Sequence, residues 1–215
     1  MENFSDYMED LKEIIRFLSD KYRMDRYVLF GHSMGALITC SFMQDFVEDA
    51  RYPERLIVNA PPCGADGVLG KVLKVLPTAV FKGACEIPYS LPIGGLVDLG
   101  FLSHDPRTKE DYIRDELNSL KLQSKLIFEL MKTAQATFAR PIRSRCPSFA
   151  TVGGSDRVVG APDVINYFTT VDKSFNFKVF DGAFHEIHNE IEKYRKPYFE
   201  HLKVIFSEVL FKPEV

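Results

Sequence analysis

Apolar residues recur at helical spacing through residues 4–22 (Phe4, Tyr7, Met8, Leu11, Ile14, Ile15, Leu18, Tyr22), which predicts an amphipathic helix capped by Asn3 or Ser5. A short apolar run, Val28 to Phe30, then reads as a buried strand, on which that helix would lie. A second helical pattern follows at once (Leu37, Cys40, Ser41, Gln44, Val47), and residues 55–60 read as another buried strand, ended by Pro61 and Pro62. From residue 63 to 140 the rhythm breaks. Val68, Leu69, Val72, Leu73, Val75 and Leu76 suggest a helix, and an apolar stretch at 87–102 is punctuated by Pro88, Pro92, Gly94, Gly95 and Gly100. A charged run at 104–116 leads into a helix carrying Leu126, Ile127, Leu130, Met131, Ala134 and Phe138. This part shows no strand character, so it reads as a helical insertion over one end of a sheet. The alternation resumes with a strand at 148–152, a helix at 161–171, a strand at 175–180 and a closing helix at 197–210, with Phe199, Leu202, Ile205, Phe206 and Val209 facing inward.

Helices alternating with continuous apolar strands imply parallel pairing and an α/β fold. Three segments are expected: a core part at 1–62, a cap at 63–140 and a second core part at 141–215. Between the first strand and its helix stands Gly31-His32-Ser33-Met34-Gly35. Strand, sharp turn, helix is the setting of a nucleophile elbow. Glycines two before and two after the serine are expected to leave room where a Cβ would collide. The turn lifts the Ser33 hydroxyl clear of the sheet and aims the helix N-terminus at whatever it attacks.

Composition narrows the field. A chain of 215 residues with 46% hydrophobic and 27% charged residues is an ordinary globular protein, and a net charge of −3 supplies no basic field for nucleic acid. The four cysteines (Cys40, Cys63, Cys85, Cys146) have no CxxC spacing and read as reduced thiols rather than disulfides or metal ligands. No apolar run is long enough to span a membrane, and the opening residues lack the pattern of a signal peptide, so the cytoplasm is the expected compartment.

Asp156 follows the end of one strand and His185 the end of the next, and strand C-termini of a parallel sheet share the edge where Ser33 stands. A serine hydroxyl is a weak nucleophile unless a base lies within hydrogen-bonding reach and a carboxylate orients that base. The order Ser33, Asp156, His185 is that of the α/β-hydrolases. Asp163 and Asp181 are alternative acids, one in a helix and one too early in its turn. His32 is expected to pack beside the site, His104 and His201 to sit in polar surroundings, and the His185/His188 spacing is one short of a zinc HExxH motif.

Gly31-His32-Ser33-Met34-Gly35, Gly153-Gly154-Ser155-Asp156-Arg157-Val158-Val159, and Gly182-Ala183-Phe184-His185-Glu186-Ile187-His188-Asn189-Glu190 resemble the monoacylglycerol lipase/lysophospholipase group of α/β-hydrolases, as does the cap segment Leu102-Ser103-His104-Asp105-Pro106. The resemblance implies Ser33 as nucleophile, Asp156 as orienting acid, His185 as general base and the Met34 N–H as one oxyanion donor. It implies hydrolysis of long-chain carboxylic esters without metal or cofactor, on a small lipid-like substrate. The stretch at 87–102 itself reads either as a buried loop or as a lid lining an acyl pocket. Prolyl aminopeptidase-like enzymes share the fold but usually have tryptophan after the serine, and this chain has no tryptophan. Two features depart from the group. Ala36 stands where a second glycine is usual, and the group's N-terminal strands, with a His-Gly loop that supplies a second oxyanion N–H, have no counterpart before residue 4. The expectation is therefore the C-terminal part of the fold with Val28 to Phe30 as an unpaired apolar edge, open to self-association. Transient membrane contact through the cap is a further expectation. The rival reading is a catalytically impaired remnant that binds a ligand or partner.

Overall fold

The structure, a computed structural model, describes residues 3–64, 78–86 and 89–210. The helix expected around residues 68–76 lies outside them. Four strands, β1 (Val28–His32), β2 (Arg55–Asn59), β5 (Ser148–Gly153) and β6 (Asn176–Phe180), form a parallel sheet in the order β1-β2-β5-β6. Leu29 pairs with Leu56, Val58 with Ala150, and Val152 with Val179. Every residue of β2 is buried, as a strand covered on both faces requires.

Alternation along the strands divides the core in two. Leu29, Leu56, Val58, Ala150 and Val152 face helices α1 (Ser5–Tyr22) and α2 (Met34–Asp45), joined by Ala134 and Phe138 of α5 (Ser124–Phe138) and Val164 of α6 (Ala161–Asn166). Ile57, Val28 and Phe149 face the other way, onto Tyr198, Leu202 and Ile205 of α7 (Glu192–Leu210). Truncating a side chain as buried as Leu37 would cost ~2–5 kcal/mol. The first helix packs chiefly on α2 rather than on β1, burying Phe4, Met8 and Ile15. No side chain caps it: the Phe4 N–H donates instead to Glu129 Oε2 at 3.0 Å. Ile14 and Phe17 of that helix and Phe30 of β1 stay exposed.

The segment between β2 and β5 holds α3 (Thr78–Cys85), α4 (Pro106–Arg114) and α5. It also holds strands, contrary to expectation: β3 (Pro92–Gly94) and β4 (Lys121–Gln123) pair antiparallel. Each is three residues long and wholly exposed, too short to show a period of two. The closing helix begins at Glu192, a turn before Pro197, so its inner face is Tyr198, Leu202 and Ile205 while Phe199 points outward. The helix expected at 161–171 keeps its α form only to Asn166, then widens into a π-turn over Tyr167–Val171. No helix among the described residues is long and apolar enough to cross a membrane.

Candidate active site

The chain leaves β1 at His32, and Ser33 takes φ 54° and ψ −120°, a conformation L-residues rarely hold. Three hydrogen bonds keep it there. Its N–H donates to the Asn59 carbonyl at 3.0 Å, and its carbonyl accepts from the N–H groups of Ala36 and Leu37 at 2.9 and 3.2 Å. A Cβ at Gly31 would stand 2.5 Å from the Gly35 carbonyl oxygen and 2.6 Å from Thr39 Oγ1, so strand and helix can approach only with glycine there. Gly35 is different from expectation: a Cβ on it meets nothing within 4 Å. The Ser33 hydroxyl does not cap its own helix, which leaves it free to face another partner.

That partner is His185. Its Nε2 lies 3.0 Å from Ser33 Oγ, and its Nδ1 lies 2.8 Å from Asp156 Oδ2. The other carboxylate oxygen of Asp156 accepts the N–H groups of Val158 at 2.8 Å and Val159 at 3.2 Å, which fixes the carboxylate against the turn after β5. A carboxylate can only accept, so Nδ1 of His185 carries the proton and Nε2 offers its lone pair to the serine hydroxyl. Asp156 and His185 are buried. Gly153 lies under the carbonyls of Ala183 and Phe184, so the two loops carrying acid and imidazole can close on each other. Such a line can take a proton from the hydroxyl as it attacks an electrophile and return it to a leaving group. Of the alternative acids, Asp181 is exposed in the turn after β6, and Asp163 sits in α6.

His32 packs beside this line, its ring centroid 4.8 Å from that of His185 and 4.9 Å from that of His188. Its Nδ1 faces the Asn59 amide nitrogen at 3.0 Å, and Asn59 Oδ1 accepts from Thr151 Oγ1 at 2.9 Å. The amide nitrogen is a donor, so His32 accepts at Nδ1 and is neutral. Burial, reinforced by the two neighbouring imidazoles, holds its pKa down to about 3. Burial also lowers that of His188, against the opposing pull of Glu186.

A second hub had no assigned role from sequence. The fully buried carboxylate of Glu190 accepts from the Phe184 N–H at 2.8 Å, the His104 N–H at 3.0 Å, the Ile191 N–H at 3.1 Å and His104 Nδ1 at 2.7 Å. Burial works to raise its pKa, but these donors outweigh burial and hold it below the usual carboxylate value. His104 is exposed, as expected, but its ring is held in place: it stacks on Phe184 with ring centroids 3.7 Å apart. The N–H groups of His185 and Glu186 also donate to the carbonyls of Phe101 and Leu102, at 3.3 and 2.8 Å. The segment 101–104 is therefore strapped to the loop that carries His185. His201 lies on α7 with its Nε2 buried and without a partner.

In front of Ser33 opens a cavity of about 330 Å³, lined by Ser33, Met34, Leu96, Leu126, Met131 and Val158 among others. Leu96 and Val97 bring the stretch at 87–102 to its wall, with residues 87–88 outside the described part.

A family model described as serine aminopeptidase, S33, matches residues 1–192. The chain belongs to that family. Among curated relatives, the monoacylglycerol lipase of Mycolicibacterium smegmatis is 24% identical over 200 residues, a match covering 90% of this chain and 67% of the relative. The fold matches the crystal structure of the Paleococcus ferrophilus monoacylglycerol lipase with a TM-score of 0.73 at 20% identity, over 91% of this chain and 73% of that one. It matches a monoglyceride lipase from Saccharomyces cerevisiae with a TM-score of 0.70 at 16% identity, over 95% of this chain and 68% of that one. The architecture is that of an α/β-hydrolase, matched over part of the length of these relatives, and this S33 member resembles lipases and esterases.

Proposed function

We propose that the chain is a serine hydrolase cleaving carboxylic esters of monoacylglycerol or lysophospholipid type through an acyl-enzyme. Ser33 Oγ attacks the ester carbonyl carbon while its proton passes to His185 Nε2. Asp156 holds the imidazole in the required tautomer and stabilises the imidazolium that forms. The Met34 N–H, at the open end of α2, donates to the developing oxyanion, where one donor typically contributes ~10²–10³ in rate. His185 then gives its proton to the departing alcohol, and water repeats the sequence to release the fatty acid. The observation that carries this reading is the hydrogen-bonded line from Ser33 through His185 to Asp156 at the mouth of an apolar cavity. The same line favours a hydrolase over a binding remnant, which would have no need to keep it aligned.

On this reading residues 63–140 form a cap between two core segments, 1–62 and 141–215. Exposed Tyr89, Leu91, Ile113 and Leu117 would give the cap transient contact with a lipid surface. The end strand β1, with Phe30 exposed, is a surface for self-association. The test is release of fatty acid from monoacylglycerol and lysophosphatidylcholine by the purified chain. Turnover of either, abolished in Ser33→Ala, is expected. Folded protein that hydrolyses peptides or thioesters and neither lipid ester would overturn the assignment.

A further inference from the structure

His32 takes no step in the proposed reaction, yet the fully buried side chains of Asn59 and Thr151 fix its ring. The register of the sheet sets His32 beside Asn59, Asn59 beside Thr151 and Thr151 beside Lys178, so a polar row crosses all four strands on one face. The row before it on that face, Phe30, Ile57 and Phe149, is apolar. A buried amide is tolerated only where its hydrogen bonds are made. Here they run towards the elbow. Thr151 Oγ1 donates to Asn59 Oδ1 at 2.9 Å, which turns Asn59 Nδ2 towards His32 Nδ1 at 3.0 Å. The Asn59 carbonyl accepts the Ser33 N–H at 3.0 Å, so Asn59 holds both the nucleophile's backbone and the ring behind the base.

We propose that Asn59 is a positioning residue of this hydrolase. With its amide turned by Thr151, it keeps His32 an uncharged acceptor behind the His185 ring. No second cation then stands beside the His185 imidazolium as it forms. The inference rests on His185 being the base. The two ring centroids are 4.8 Å apart. A unit charge on His32 at that separation, in an effective dielectric of ~20, would disfavour protonation of His185 by roughly 10²-fold. The groups that face His32 are His185 and His188, from the loop after β6, and Asn59 from β2. Asp156 lies beyond His185, and Glu186 acts on His188. Burial first, then the two imidazoles, hold the His32 pKa down to about 3 against the pull of the Asn59 carbonyl. Asn59 supplies what burial does not, because it decides which ring nitrogen is bare. An amide turned the other way, or a carboxylate, would accept a proton from Nδ1 and let the ring charge.

Replacing the amide by a carboxylate of the same shape tests this. In Asn59→Asp, nitrogen NMR of the imidazoles should show His32 protonated at Nδ1 and charged at neutral pH, where the unsubstituted chain keeps it neutral. The new carboxylate offsets part of that charge, so kcat on a monoacylglycerol should fall about ten-fold, with KM little changed. Adding His32→Gln, which leaves no imidazole to charge, should restore most of the lost kcat. A His32 ring that stays neutral in Asn59→Asp, or a kcat that its charging leaves unchanged, would overturn the proposal. So would a loss that persists after His32→Gln, as a merely structural defect would. Where Asn59→Asp does not fold, Thr151→Val gives the same reading. The freed amide can turn its oxygen to His32, which should then bind its proton about ten-fold more tightly, and an unmoved His32 overturns the proposal. If His32 charges as expected while the unsubstituted chain hydrolyses no ester, the hold of Asn59 on the His32 tautomer stands and the hydrolase reading fails.

Discussion

Replacing Glu190 tests how the strap between residues 101–104 and the His185 loop works. Glu190→Ala removes the acceptor of three backbone N–H groups, those of Phe184, His104 and Ile191, and of the His104 imidazole. A buried donor left without a partner costs ~1–3 kcal/mol. Ile191 is partly exposed and the His104 side chain is 32% exposed, so water can serve part of this set. The net loss should therefore be about 3 kcal/mol, within the ~5–15 kcal/mol by which such domains are stable. Glu190→Gln keeps the shape but turns an NH2 group towards two of the donors, and should cost about 2 kcal/mol. The Phe184 N–H fixes the residue next to His185, and an imidazole displaced by ~1 Å can lose up to 10² in rate. Urea unfolding gives the stability, and steady-state kinetics on a monoacylglycerol gives kcat and KM. The expected result is a lower urea midpoint in both variants, with kcat falling at least ten-fold and KM little changed. A Glu190→Ala protein with the urea midpoint and kcat of the unsubstituted chain would refute the reasoning.

The two glycines of the elbow should respond differently. Gly31→Ala forces a Cβ against backbone and should cost ~1–3 kcal/mol or more, whereas Gly35→Ala, with open space around it, should be neutral or stabilise by up to ~1 kcal/mol in thermal melts. Asp156→Asn should leave the fold intact and lower kcat by ~10³–10⁴, because an amide cannot hold the imidazole in its tautomer. Stability should fall with acid. His32 has a folded pKa of about 3 against an unfolded value near ~6.5, so the unfolded chain binds more protons between these values and unfolding free energy drops as pH falls through that window. The lowered pKa of Glu190 acts in the same direction, its stabilisation being lost as pH falls through the folded value. Melting temperatures from pH 7 to 4 should show the slope, and His32→Gln should reduce it.

What could be read from the sequence was what local sterics and periodicity dictate. Residues 28–35 announced their strand, turn and helix because Gly31 is required by direct contact with α2. Asp156 and His185 could be placed because parallel strands deliver their C-termini to one edge. The β3–β4 pair was invisible, since three exposed residues containing Pro92 and Gly94 carry no alternation. The start of α7 reads too late from the sequence because proline favours a first helical turn, whereas Pro197 is accommodated one turn further in. Glu190 had no local signal of its own. It stands in the segment that carries the family resemblance, but its partners Ser103 and His104 come from far along the chain, so its role could not be read locally. The Phe184 N–H first, then the His104 imidazole and the N–H groups of His104 and Ile191, make its burial tolerable.

The most direct measurement is labelling of the folded chain with a fluorophosphonate, which reacts only with a serine activated by a neighbouring base. Mass spectrometry should find the adduct on Ser33, with labelling absent in Ser33→Ala and strongly slowed in His185→Ala. A folded protein that stays unlabelled, or that labels equally fast without His185, would contradict the assignment of Ser33 and His185 as nucleophile and base.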